Sequence, residues 1–173
     1  NMLNRMKELA TQANSGSLDA NSRAAINEEY QNLRSEVNNL TSNTTFNGQQ
    51  LVNGTFNQNF QAGTSSSNTL AGDLSGVNAS TTGLGLTAGA GDSAGALLTQ
   101  AGAQATSTEL DTAISNLSSY RAEVGAQMSS FSTRGDVVDT ETENTIAAQS
   151  AIMDADIGEE SSRLSSSKAL SEL

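Results

Sequence analysis

The 173-residue chain carries 8 basic against 19 acidic side chains, a formal charge of −11. Its mean field therefore repels nucleic-acid backbones and anionic lipid, so neither nucleic acid nor membrane is expected as a partner. Cysteine and histidine are both absent, which excludes disulfides, thiolate chemistry, histidine metal sites and most hydrolytic triads.

In chain order, Asn1 to Asn14 reads as a helix. Met2, Leu3, Met6, Leu9 and Ala10 recur at intervals that place them on one face. Ser15-Gly16-Ser17 ends it, with Gly16 expected as the C-terminal cap. A second helix is expected from about Asp19, whose carboxylate can accept from the amides of the first turn. There Ile26, Tyr30, Leu33, Val37 and Leu40 form a heptad seam. Glu28, Arg34, Glu36 and Asn38 lie off it and read as a solvated face.

The helical pattern breaks at 41–45. Two Asn-Gly pairs follow, Asn47-Gly48 and Asn53-Gly54, the favoured chemistry for tight turns with positive φ. One or two hairpins are expected, anchored by Phe56, Phe60, Leu70, Leu74, Val77, Leu84 and Leu86, with loose loops at 63–68 and 87–92. From about Thr106 the helical period returns. Leu110, Ile114, Leu117, Val124, Met128, Phe131 and Val138 fit one seam, interrupted by Arg121 and Gly135. The seam then shifts by one position to Ile146, Met153 and Ile157. Residues 154–158 weaken helix propensity before Leu164, Leu170 and Leu173 resume it.

Neither helical stretch can hide its apolar stripe alone. The expected fold is mainly α: an elongated antiparallel helical bundle, or coiled coil, of the N- and C-terminal segments with a small β-hairpin insertion. The expected division is N-terminal helices at 1–42, a hairpin and loop region at 43–105, and C-terminal helices at 106–173. With no proline, long helices are permitted. With aromatics at 3% and no Trp, a thin core is expected.

The order of these elements, and the residues themselves, resemble the bacterial flagellin family. Five segments carry the likeness: Asn4 to Asn14 (NRMKELATQAN); Thr45-Phe46-Asn47-Gly48 with Leu51; Thr82 to Leu86 (TGLGL); Ser119 to Ala126 (SYRAEVGA), similar to the family's S-x-R-x-x-x-G-A; and Ile152 to Asp156 (IMDAD), where Ala151 replaces the Arg of the family's R-I-x-D-A-D. The resemblance implies the core of a filament subunit, exported to the extracellular flagellum, with no enzymatic activity and no cofactor. Its implied partners are other flagellin subunits, the flagellar export chaperone, and cap and junction proteins. Relative to the family, the outer variable domains are expected to be essentially absent, and the terminal polymerisation domain missing or incomplete. The resemblance also places an innate immune receptor site, for a Toll-like receptor of a host, on Arg5, Leu9 and Glu29.

Other constellations are weaker. Asp154, Asp156, Glu159 and Glu160 are the densest acidic cluster, but they lack the glycine and terminal carboxylate of a calcium loop, so no metal site is expected. Asn43-Thr44-Thr45, Asn78-Ala79-Ser80 and Asn116-Leu117-Ser118 match the N-linked acceptor pattern. Two alternatives to the filament subunit are a hook-filament junction protein, which shares the helical scheme, and a flagellin-like cell-surface polysaccharide-binding protein using the Asn- and Gln-rich stretch 57–61.

Overall fold

A computed structural model describes residues 1–63, 65–86 and 94–171, the side chains of 154–157, 159 and 169 excepted. Helices α1 (Met2–Ala13) and α2 (Ala20–Asn43) are followed by strands β1 (Thr45–Phe46), β2 (Gln49–Gln50), β3 (Asn57–Gln61) and β4 (Thr69–Asp73), then by helix α3 (Gln100–Ser171). The strands form two separate two-stranded sheets, β1-β2 and β3-β4. This is the mainly helical chain with small hairpins that the periodicity predicts. The expected loop at 87–92 lies outside the described residues. The chain divides into two compact units, Asn1–Phe60 with Ala71–Ser129, and Gln61–Leu70 with Ser130–Leu173.

The first unit is built on α1, α2 and the part of α3 up to Ser129. Leu3, Met6, Leu9, Ala10 and Ala13 of α1 are buried together with Ile26, Tyr30 and Val37 of α2 and Ala103, Leu110 and Ala113 of α3. Alanines among these positions let the helices approach closely, and Tyr30, fully buried, supplies the bulk. Lys7 of α1 pairs with Asp111 of α3, while Met2, Leu3 and Leu117 border one groove, so α1 runs antiparallel to α3.

Local chemistry sets the element ends. Asp19 caps α2: its Oδ1 accepts from the Ser22 amide at 2.7 Å. Hydrogen bonding from the side chain and then the backbone of Ser22 holds the Asp19 carboxyl below the usual carboxylate range. Gly16 is not the cap of α1, and it has no positive φ. The helix closes at Asn14 in ordinary right-handed geometry, because the α1–α2 corner is fastened by a side chain. The Arg23 guanidinium donates to three carbonyl oxygens, of Ala13 at 3.1 Å, Ser15 at 2.7 Å and Leu18 at 2.9 Å.

Asn47 (φ 50) and Gly48 (φ 77) form the two-residue turn of the first hairpin, with Phe46 opposite Gln49. The second Asn-Gly pair is not a hairpin tip. Asn53 Oδ1 accepts from the Thr55 amide at 3.1 Å, an Asx turn leading into β3. Helix α3 starts at Gln100, six residues before the expected Thr106. Thr99 provides the start, its Oγ1 accepting from the Gly102 amide at 3.1 Å. Glycine at 102 reflects a close approach, since a Cβ there would lie 2.6 Å from the Ala96 carbonyl oxygen.

The connection between sheet and helix is held down by side chains of the helices. Asn27 donates to the Ala94 carbonyl at 2.7 Å and accepts from the Leu97 amide at 3.1 Å. Asn38 Oδ1 accepts from the Thr81 amide at 3.0 Å, so this residue is a clamp and not part of a solvated face. Asn116 and the Tyr120 hydroxyl donate to the carbonyls of Leu84 and Gly83, at 3.1 and 2.9 Å. Leu84 and Leu86 are thereby seated in the core.

In the second unit, Ala62 donates to the Asn68 carbonyl at 2.8 Å, closing the end of the β3-β4 hairpin. Gln61 Nε2 donates to the carbonyls of Gly63 and Ser65. The helix continues through 154–158 without a break, Gly158 included. Hydroxyls of Thr140, Thr142, Thr145 and Ser166 donate back to carbonyls one turn earlier, which reconciles a Ser- and Thr-rich sequence with helix. Ile146, Ile152, Met153, Leu164 and Leu170 are exposed along this stretch.

Two measurements test the core. The Thr106 hydroxyl is fully buried and has no hydrogen-bond partner among the described residues, so Thr106→Val is expected to raise stability by about 1 kcal/mol. A lower urea midpoint for the variant would show that the hydroxyl is satisfied. Burial pushes the Tyr30 phenol up to about 12. The folded state therefore binds this proton more tightly than the unfolded chain, and its contribution is complete below about pH 10 and lost as pH rises towards 12. Urea midpoints of the wild type should fall faster than those of Tyr30→Phe across that window, by about 2–3 kcal/mol in all; parallel curves would contradict it.

Candidate assembly surface

Along α3 the apolar seam emerges from the core. Leu110 and Ala113 are buried, Ile114, Leu117 and Tyr120 are partly buried against the core, and Met128 is 68% exposed. Met2 and Leu3 of α1 border the same groove as Leu117, and further along α3 the walls come from Val52, Val77 and Ala79 of the connecting segment. Two apolar grooves result, joined through Val52, Ala79 and Leu117. One, of about 240 Å³, is walled by Met2, Leu3, Val37, Leu40 and Leu84. The other, of about 290 Å³, lies against Tyr120, Val124 and Met128.

The seam residues named from periodicity therefore divide. Ile26, Tyr30, Val37 and Leu110 lie in the core, and Leu33, Ile114 and Leu117 are packed against its edge. Leu40, 50% exposed, and Met128 lie outside the core and line the grooves. Leu40 falls at the end of α2, where the groove is open. Phe131, in the second unit, is 36% exposed, and Val124 is half-buried in the groove wall. Arg121, the break in the seam, is exposed on the groove rim and makes no ion pair among the described residues. The surface is thus an apolar trough with a cationic edge in a chain that is otherwise strongly acidic.

On the other side of the helical hairpin, Arg5 and Glu29 come together. Arg5 Nε donates to Glu29 Oε1 at 2.8 Å and NH1 to Glu8 Oε2 at 3.1 Å, joining α1 to α2 at a half-exposed site. The Glu29 hydrogen bond, followed by that of Glu8, holds the guanidinium still more firmly protonated. Leu9, the third residue of that set, is 1% exposed. It shares the core face with Met6, Ala10 and Ala13 and is not a surface contact.

Among the described residues no group of three or more His, Cys, Asp or Glu could hold a metal ion. The acidic cluster at 154–160 has most of its side chains outside them. Two of the N-linked acceptor asparagines have engaged amides: Asn78 Oδ1 accepts from the Ser80 hydroxyl at 2.7 Å, and Asn116 bonds Leu84.

Sequence reading missed Arg23, Asn27, Asn38 and Asn116, all of which bond main-chain groups. Asn27 carried a usable signal: a polar residue directly beside Ile26, where the helix face turns inwards.

Residues 1–57 match the bacterial flagellin N-terminal helical region, and residues 107–173 match the bacterial flagellin C-terminal helical region. Flagellin A of Vibrio cholerae is 39% identical over 79 residues, 45% of this chain and 21% of that protein. Flagellin B of Vibrio anguillarum is 36% identical over 86 residues, 49% of this chain and 23% of that protein. The chain thus spans about a fifth of the length of these curated relatives. The crystal structure of Bacillus cereus flagellin superposes with a TM-score of 0.61 at 27% identity, covering 78% of this chain and 74% of that one. With both helical regions matched in order around the connecting segment, and with the same fold, the chain belongs to the bacterial flagellin family.

Proposed function

We propose that this chain is the helical core of a flagellar filament subunit, exported to the cell exterior and polymerising with copies of itself into a tube that serves motility. The observation that carries this reading is the apolar trough from Leu40 to Met128, in a chain that carries both flagellin helical regions. A structural subunit needs such a surface, because a repeated heterologous contact that does not close generates a helical filament. An enzyme instead needs enclosed titratable groups, and the trough is open and lined mainly by aliphatic side chains and methionines, with Tyr120 and Arg121 its titratable side chains. The Asn- and Gln-rich strand β3, exposed throughout, has no aromatic platform but Phe60 for a sugar ring, so polysaccharide binding is the weaker alternative. A junction protein would use the same helices in a ring of few copies. Export chaperone and cap proteins would meet the exposed seam before polymerisation.

The test is made in a motile bacterium whose own flagellin gene is replaced by the full-length gene encoding this chain. Antibody against residues 1–173 should decorate long external filaments. Met128→Glu, which places a carboxylate on the apolar wall, is expected to lower subunit incorporation at least about tenfold, the equivalent of about 1.4 kcal/mol per contact. Undecorated filaments, or unchanged incorporation of the variant, would reject the proposal.

The Arg5–Glu29 pair supports a second, independent reading, recognition by a Toll-like receptor of a host. In a receptor-reporter assay the wild-type chain should signal and Arg5→Ala should weaken the response about tenfold, as loss of a charge-assisted anchor does. Silence from the wild type would end it.

A further inference from the structure

Asparagine followed by glycine is open to attack by the next main-chain nitrogen on the side-chain amide carbon, because glycine presents no Cβ to hinder closure of a five-membered ring. The two Asn-Gly pairs of this chain differ sharply in how their amides are held. The Asn53 amide is committed at both ends. Its Oδ1 accepts from the Thr55 amide at 3.1 Å and the Thr55 hydroxyl at 2.7 Å, and its Nδ2 donates to Gln50 Oε1 at 2.5 Å. Its main chain also pairs with Asn78, and Ala79 donates to the neighbouring Val52 carbonyl at 2.8 Å.

Asn47 has none of this. It is exposed, its side chain makes no hydrogen bond among the described residues, and the space where a Cβ of Gly48 would lie is empty to 4 Å. Ring closure requires Asn47 to leave its left-handed conformation (φ 50). The ladder resisting that is short: Thr45 opposite Gln50 and Phe46 opposite Gln49. A hairpin of this size is marginal by itself and opens at little cost.

We propose that Asn47 is a site of spontaneous covalent modification. The Gly48 nitrogen bonds to Asn47 Cγ and gives up its proton, the side-chain nitrogen departs as ammonia, and a succinimide forms. Water then opens the ring at one carbonyl or the other, leaving aspartate or isoaspartate. One water is consumed and one ammonia released, with no oxidant, reductant or cofactor. Either product adds a negative charge at the hairpin tip. Isoaspartate also lengthens the main chain by one atom, which a two-residue turn cannot absorb while keeping Phe46 opposite Gln49. The reaction needs no assembly and is independent of the filament proposal.

The test incubates the purified full chain in mildly alkaline buffer, with and without concentrated urea. It is then digested with a protease that cuts after aromatic residues and leucine, which separates the two sites at Leu51, and the fragments are followed by mass spectrometry. In the native chain the fragment holding Asn47 should gain about one dalton roughly tenfold faster than the fragment holding Asn53, and in urea the two rates should converge to within about twofold. Asn47→Gln should abolish the native-state gain in that fragment. Equal native rates, a faster Asn53, or a gain that survives the substitution would each overturn the proposal.

Discussion

The interaction on which the first unit depends is the burial of Tyr30 between α2 and its two neighbours. Around it the core is made of aliphatic side chains and alanines, Met6, Leu9, Ala10, Ala103 and Leu110 among them. So few large groups bury modest apolar area, and each aliphatic side chain contributes on the order of 1.5–3 kcal/mol when fully covered. Among its described residues, the connecting segment, rich in Ser, Thr, Gly and Asn, brings Leu84, Leu86, Ala96 and Leu97 to that core. It is therefore secured by polar means. Asn27, Asn38, Asn116 and Tyr120 reach from the helices to its backbone and satisfy groups that would otherwise be buried without partners.

A core this thin has a functional counterpart. Apolar side chains that a thicker domain would enclose are left along α3 and in the trough beside it, and the proposed homopolymer would use them between subunits where a monomer cannot. In the proposed assembly Arg121 on the rim would add direction to that surface, because the one cationic side chain among the trough's lining residues favours a contact that presents a carboxylate.

Much of this was legible in the residues. The periodicities of α1, α2 and α3, the Asp19 cap and the Asn47-Gly48 turn all rest on local rules, and local rules fix them. Three kinds of feature escaped. Gly16 looked like a cap because glycine commonly is one, but Arg23, seven residues later, had taken over the corner. Residues 100–105 fell outside the expected helix, whose regular seam begins at about Thr106, and the nearby Ala96 carbonyl explains the glycine at 102. Leu40 and Met128 fit the heptad as well as Tyr30 and Leu110 do, yet they are exposed; periodicity gives the face of a helix but not which of its positions are covered. The candidate site was less legible than the fold, since the trough is walled by Val52, Val77 and Ala79, residues without any shared pattern. Leu9 shows the same limit from the other side: a short motif names residues without saying which are covered.

The corner between α1 and α2 has an evolutionary corollary. All three groups that Arg23 grips belong to the main chain, which every amino acid presents alike. Leu18 packs against the core, but residues 15–17 are under little demand from this grip on their identity, and drift there can proceed while one distant guanidinium keeps the bend. A bend whose outward face can be rewritten without disturbing its geometry is a place where surface character can change at little cost to folding.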